Sequence, residues 1–106
     1  MTYLLIIESQ TPLTSHRLTG LELALEAAEE EQQVKLWLTQ DATQMLQIGG
    51  NPKLDACCAH ANIEVFVDDF ALDQRGITAP PGPVTPAPIS ALADHLLDCN
   101  AKPIWH

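Results

Sequence analysis

The run YLLII at residues 3–7 is apolar at every position and stops at Glu8. A strand buried on one face would alternate, so an unbroken run predicts a strand covered on both faces, as inside a parallel sheet. Residues 8–16 turn polar, with Ser9, Thr11, Pro12, Thr14 and Ser15, and read as a loop at the carboxyl end of that strand. Over residues 17–32 the apolar side chains Leu18, Leu21, Ala24, Leu25 and Ala28 recur at helical spacing, with Glu22, Glu26, Glu29 and Glu30 mainly opposite. This is an amphipathic helix lying on the sheet. Its acidic end opposes the helix dipole at a cost of a few tenths of a kcal/mol, roughly, and reads as a solvated terminus.

Residues 34–39 return to a two-residue period: Val34, Leu36 and Leu38 share one face, Lys35 and Trp37 the other. Trp37 then requires cover from a helix or a neighbouring subunit. Thr39 or Asp41 is placed to cap a short helix through Ile48, ended by Gly49-Gly50 and Asn51-Pro52, and a second short helix is predicted over residues 54–60. A third strand spans residues 63–67, followed by a helix from Asp68 or Asp69 to Gln74 that ends near Gly76. Five of the eight prolines fall between Gly76 and Pro88, predicting an extended surface connection. Over residues 89–99, Ile89, Leu92, Leu96 and Cys99 fall at helical spacing, with Ser90 in the first turn and Asn100 suited to the end. The chain closes with a short strand at residues 102–105, assigned to a sheet edge because Pro103 has no N–H to donate. The sum is a single-domain layered α/β fold with a mainly parallel sheet of about five strands flanked by helices.

Composition narrows the function classes. A length of 106 residues with 46% hydrophobic content fits one domain, and a formal charge of -9 repels nucleic acid and anionic membrane surfaces. A basic or thiol-bearing protein is the partner class that remains. No apolar segment approaches the ~20 residues that span a bilayer, and the first ten residues read as a buried strand, not a signal peptide. Three cysteines cannot all pair within the chain, so a reducing cytoplasm is the expected setting.

The candidate chemistry is sparse. Cys57 and Cys58 are adjacent on a predicted helix, about 100° apart in direction, so they do not form a CxxC redox couple. At least one of them reads as a small core residue, and the alternative reading makes one, Cys58 with His60 nearby, a sulfur acceptor. Cys99 falls on the apolar stripe of the last helix and is expected in the core, and His95 is expected on that helix's exposed face. His16 closes the first loop, where it either caps the helix region or faces a cleft as a titratable group. No second ligand pair accompanies Cys57, Cys58 and His60, so no metal site is assigned. A Gly-rich phosphate loop, a serine nucleophile elbow and an HExxH pattern are absent from the sequence, and no cofactor is expected.

The segment IEVFVDDFALDQRGI at residues 63–77 puts Asp68 and Asp69 where a buried strand meets the next helix, the usual mouth of a site in open α/β sheets. That segment, the Leu/Ile first strand, the long helix ending before VKLWLTQDA and the closing ALADHLLDCNAKPIW together resemble the DsrE-like family of small sulfur-relay proteins, over nearly the whole chain. That family includes subunits of the bacterial Tus and Dsr sulfurtransferase complexes. The resemblance implies a homo- or hetero-oligomer of DsrE-like subunits that passes persulfide sulfur between thiols, with a thiol-bearing relay protein as partner. In active members of the family a cysteine follows the third strand, ahead of a helix ending in Arg-Gly and an aliphatic residue. Arg75, Gly76 and Ile77 match that ending, and Asp68 then stands at or beside the cysteine position. A carboxylate cannot carry sulfane sulfur, so the resemblance implies a non-catalytic or atypical subunit. Two alternatives stay open: a persulfide carrier using Cys57 or Cys58, and a small-ligand-binding or regulatory oligomeric module using the cleft between the first loop and Asp68, with Asp69 and Arg75 nearby. Oligomerisation is expected from Trp37, Trp105 and the small core.

Overall fold

The computed structural model describes residues 2–9, 20–46, 52–77 and 83–105. Within them β1 (Tyr3–Glu8) leads to α1 (Gly20–Glu29), β2 (Gln33–Leu38), a 3₁₀ segment (Gln40–Leu46) and α2 (Pro52–Ala59). Then come β3 (Ile63–Asp68), α3 (Asp69–Gln74), β4 (Val84–Ala87), α4 (Ile89–Leu97) and β5 (Ala101–Trp105). The five strands form one sheet in the order β4-β3-β2-β1-β5, and every neighbouring pair is parallel.

This order dictates which helix covers which face. From β1 to β4 the chain steps across the sheet in one direction, whereas α4 carries it back past β3, β2 and β1 to the far edge. Right-handed crossovers place helices of opposite step direction on opposite faces. The buried side chains divide accordingly. Ile6, Leu36 and Val65 meet Leu21 and Ala24 of α1, Leu54 and Cys57 of α2, and Leu72 of α3. On the second face Leu5, Ile7 and Trp37 meet Leu92 of α4. The alternation read for residues 34–38 therefore holds, and Trp37 is fully buried by elements of its own chain. It stacks on Phe66 with ring centroids 5.1 Å apart. Trp37 consequently does not call for a neighbouring subunit, while Trp105 is 65% exposed.

Four predicted features are corrected. The proline-rich connection contains a strand, β4, which pairs with β3 from Val84 to Ala87. Pro86 is tolerated there because β4 is an edge strand, whose open side needs no donor. Second, α4 ends at Leu97 because Asp98 turns to extended backbone (φ -70°, ψ 124°), which leaves Cys99 exposed in the following turn. Third, the inner side of α4 carries Ala91, Leu92 and Leu96, with His95 half-buried among them, whereas Ile89 is exposed. The stripe is displaced because a histidine occupies one of its inward positions. Fourth, the Thr39 hydroxyl donates to the Glu8 carbonyl at 3.3 Å, tying the ends of β1 and β2 together. The predicted stop at Gly49-Gly50, residues 10–16 of the predicted first loop, residues 17–19 of the predicted first helix and part of the proline-rich segment lie outside the described residues.

Both edges resist further pairing. The Asn100 carbonyl accepts from Tyr3 N–H, so alternation turns the backbone groups of Ala101, Pro103 and Trp105 outward from β5. Ala101 N–H is occupied by the Asp98 carbonyl and Pro103 has none, leaving few donors for an incoming strand.

The junction of β1 and α1 depends on Gly20. A β-carbon there would lie 3.1 Å from Ile6 Cγ2, 3.2 Å from Glu8 Oε2 and 3.3 Å from Glu8 Cβ. Ile6 and Glu8 are both buried strand residues and have little room to yield. Gly20→Val is expected to destabilise the fold by about 1–3 kcal/mol through overpacking, read as a lower urea midpoint at unchanged slope.

Candidate functional site

Parallel strands end together, so their carboxyl ends form a rim onto which the connecting segments open. Here that rim includes Glu8, Thr39, Asp68 and Trp105. Between α4 and the sheet it frames a groove of about 300 Å³. Ile7, Leu92, Leu96 and Trp105 supply its apolar lining, and Thr39 and Asp68 its polar end.

Asp68 closes β3 in an extended conformation (φ -64°, ψ 115°), and its Oδ1 accepts from Phe70 N–H at 3.1 Å. It is the N-cap of α3, satisfying an N–H that the helix cannot use internally. Asp69 is the first helical residue and is exposed. At the other end, Arg75 is the C-cap, Gly76 has φ +67°, and Gly76 and Ile77 donate back to the carbonyls of Asp73 and Leu72 at 3.1 and 3.0 Å. This is a Schellman motif, which asks for glycine at its left-handed position and an apolar residue after it. The Arg-Gly-Ile ending thus has a complete explanation in helix termination. Arg75 is half-buried at that lower end of α3, a full helix length from Asp68.

The adjacent cysteines belong to a different region. Cys57 is fully buried on the inner side of α2, its Sγ 3.6 Å from the Leu21 carbonyl to which it donates. Burial, with a smaller contribution from Cys58, pushes its thiol up to about 12. Cys58 is half-buried, and its thiol is also raised, first by burial and then by Asp55. Both lie in the last turn of α2, where the helix dipole disfavours a thiolate. Cys58 borders a shallow pocket of about 230 Å³ with Leu54, Asp55 and Pro83, and shares no lining residue with the groove at the carboxyl rim. His60 points its Nδ1 at Asn62 N–H, 3.1 Å away, and closes the turn before β3. Among the described residues no group of three or more His, Cys, Asp or Glu is arranged to hold a metal ion. His16 lies outside the described residues.

Two features of the second face and the rim were missed by sequence reasoning. Glu8 is 2% exposed, with its carboxylate against the first turn of α1 at Gly20. An acidic residue directly after an unbroken apolar strand is the signal that it caps the buried run from inside the fold. The other is a polar cluster beneath α4. Trp37 Nε1–H donates to His95 Nδ1 at 3.1 Å, Lys35 Nζ lies 3.5 Å from His95 Nε2, and Tyr3 O–H donates to Asp98 Oδ2 at 3.1 Å. Lys35 also sits over the Tyr3 ring, 4.9 Å from its centroid. The Lys35-x-Trp37 alternation announced a shared face, but the partner sixty residues away did not announce itself. Burial, followed by Lys35, lowers the His95 pKa, and the Asn100 N–H bond chiefly holds the Asp98 carboxyl below its usual range.

In comparisons with known proteins, the chain matches no family model and no curated protein.

Two expectations follow. Asp68→Ala removes a cap bond and should cost about 1 kcal/mol, whereas Asp69→Ala should stay within about 0.5 kcal/mol, both measured by urea denaturation. Alkylation of the native protein near pH 8, followed by peptide mapping, should modify Cys99 first, Cys58 more slowly, and Cys57 only after unfolding.

Proposed function

We propose that this protein is a non-catalytic subunit of a sulfur-relay assembly of the DsrE-like kind, working in the cytoplasm beside a cysteine-bearing partner. One observation carries the reading. At or beside the position where the resembling family carries its sulfur-bearing cysteine, this chain has Asp68, and its carboxylate caps α3. Persulfide transfer requires a thiolate that attacks the outer sulfur of a donor persulfide while the donor departs as a thiol, and Asp68 cannot perform that attack. Cys57 does not replace it, because a thiol at about 12 inside the core supplies almost no thiolate near neutral pH. What the chain offers an assembly is surface. Trp105, Ile89 and the adjoining groove form an apolar stretch at the carboxyl rim, suited to another subunit.

Cys58 supports a second reading, as an atypical carrier, because it is partly exposed beside a pocket. Incubation with a low-molecular-weight persulfide followed by intact-mass measurement separates the two. The proposal expects no sulfur adduct that depends on Cys57 or Cys58, together with co-purification of a cysteine-bearing DsrE-like subunit. An added sulfur atom that disappears in Cys58→Ser would overturn it in favour of the carrier.

A further inference from the structure

Trp37 is the largest fully buried side chain described, and its indole N–H can only donate. It reaches one acceptor among the described contacts, Nδ1 of His95, at 3.1 Å. A second group that only donates as an ammonium, Lys35, faces the other ring nitrogen at 3.5 Å. The imidazole is therefore approached by donors at both nitrogens. A neutral ring carries one lone pair in the ring plane and can accept from Trp37. An imidazolium carries two N–H groups and can accept from neither. Protonation turns the Trp37–His95 bond into two opposed donors and leaves the indole N–H buried without a partner.

The element held by this bond is otherwise lightly fixed. Of the nine residues of α4 only Leu92 is buried, and among the other inward residues Ala91 and Leu96 are partly covered. His95 packs edge-on against the stacked Trp37 and Phe66 rings, with centroids 5.8 and 5.3 Å away, so it makes both a polar and an aromatic contact between α4 and the sheet. The surroundings also give the protonated ring somewhere to go. Lys35 of β2 opposes its charge, whereas Glu64 of β3, Asp94 of α4 and Asp98 just beyond it favour it, and Tyr3 of β1 presents a ring edge-on at 6.5 Å. Outward rotation exchanges an acceptor role toward Trp37 for donor roles toward carboxylates.

We infer that His95 is a pH-operated latch: neutral, it accepts from Trp37 and holds α4 against the second face of the sheet, and protonated, it releases the indole and loosens α4 over Leu5, Ile7 and Trp37. The groove at the carboxyl rim has Leu92 and Leu96 of α4 in one wall, so it opens with the latch. The sign follows from the lowered His95 pKa, caused first by burial and then by Lys35. A base held neutral by the fold contributes its full stabilisation above the ordinary imidazole value of ~6.5, and loses it as pH falls from there toward the lowered value.

The test is amide hydrogen exchange of peptides covering Ile89–Leu97, corrected for intrinsic rates, between about pH 8 and about pH 5. The wild type should exchange about tenfold faster in α4 at the acidic end, with the strands of the first face unchanged. In His95→Asn the amide oxygen, carried on the γ-carbon as Nδ1 is, accepts from Trp37 at every pH, and in Trp37→Phe there is no N–H to lose. His95→Asn should show no acidic step and Trp37→Phe a smaller one, because burial and Lys35 still act on His95 there. Equal protection of wild-type α4 across the range, or an undiminished step in either variant, would overturn the latch.

Discussion

A parallel sheet must be covered on both faces, and this chain provides that cover unevenly. Three helices and the 3₁₀ segment accompany the four strands that step in one direction, and right-handed crossovers commit them to the same face. A single nine-residue helix, α4, is left for the return journey and for the other face. The large side chains of that face, Trp37 and Phe66 above all, make the shortage tolerable by filling area that a second helix would cover. Trp37 in turn brings a buried N–H, and His95 becomes necessary to satisfy it. The polar cluster of Lys35, Tyr3, His95 and Asp98 follows from this asymmetry.

The same arrangement separates the thiols from the rim. Cys57 is needed on the inner side of α2, against α1, where its sulfur fills core and its proton meets a backbone carbonyl. The helices run antiparallel to the strands, so the last turn of α2 lies toward the amino ends of the sheet, away from Asp68 and the groove. Among the described residues the carboxyl rim presents carboxylates, hydroxyls and an apolar wall. The edge prolines Pro86 and Pro103 discourage pairing of a further strand at either side of the sheet.

Local helix chemistry also bears on how the segment 63–77 is understood. Asp68 and Gly76 bracket α3 as N-cap and left-handed C-terminal residue, with Ile77 folding back on the core. A six-residue helix contributes few internal hydrogen bonds, so its end groups decide whether it forms at all. Arg75, Gly76 and Ile77, from which the sequence suggested a sulfur-relay family, are residues that termination of α3 itself requires.

By itself, the sequence determined the elements that rest on local rules. The unbroken apolar run of β1, the alternation of β2, the caps of α3 and the edge position of β5 at Pro103 follow from periodicity, side-chain hydrogen bonding and the missing proline N–H, each acting within a few residues. The core placement of Cys57 or Cys58 was legible to the extent that one of an adjacent pair on a helix must face inward. Tertiary structure decided the rest. β4 is a strand only because β3 offers it an open edge, which a proline-rich sequence does not advertise. His95 turns inward because Trp37, fifty-eight positions earlier, needs an acceptor, and Cys99 turns outward because α4 must stop at Leu97 for β5 to reach β1. Glu8 is buried because α1 begins with a glycine that lets the helix close over it. These are partnerships between distant positions, and no local pattern encodes the distance at which a partner will be found.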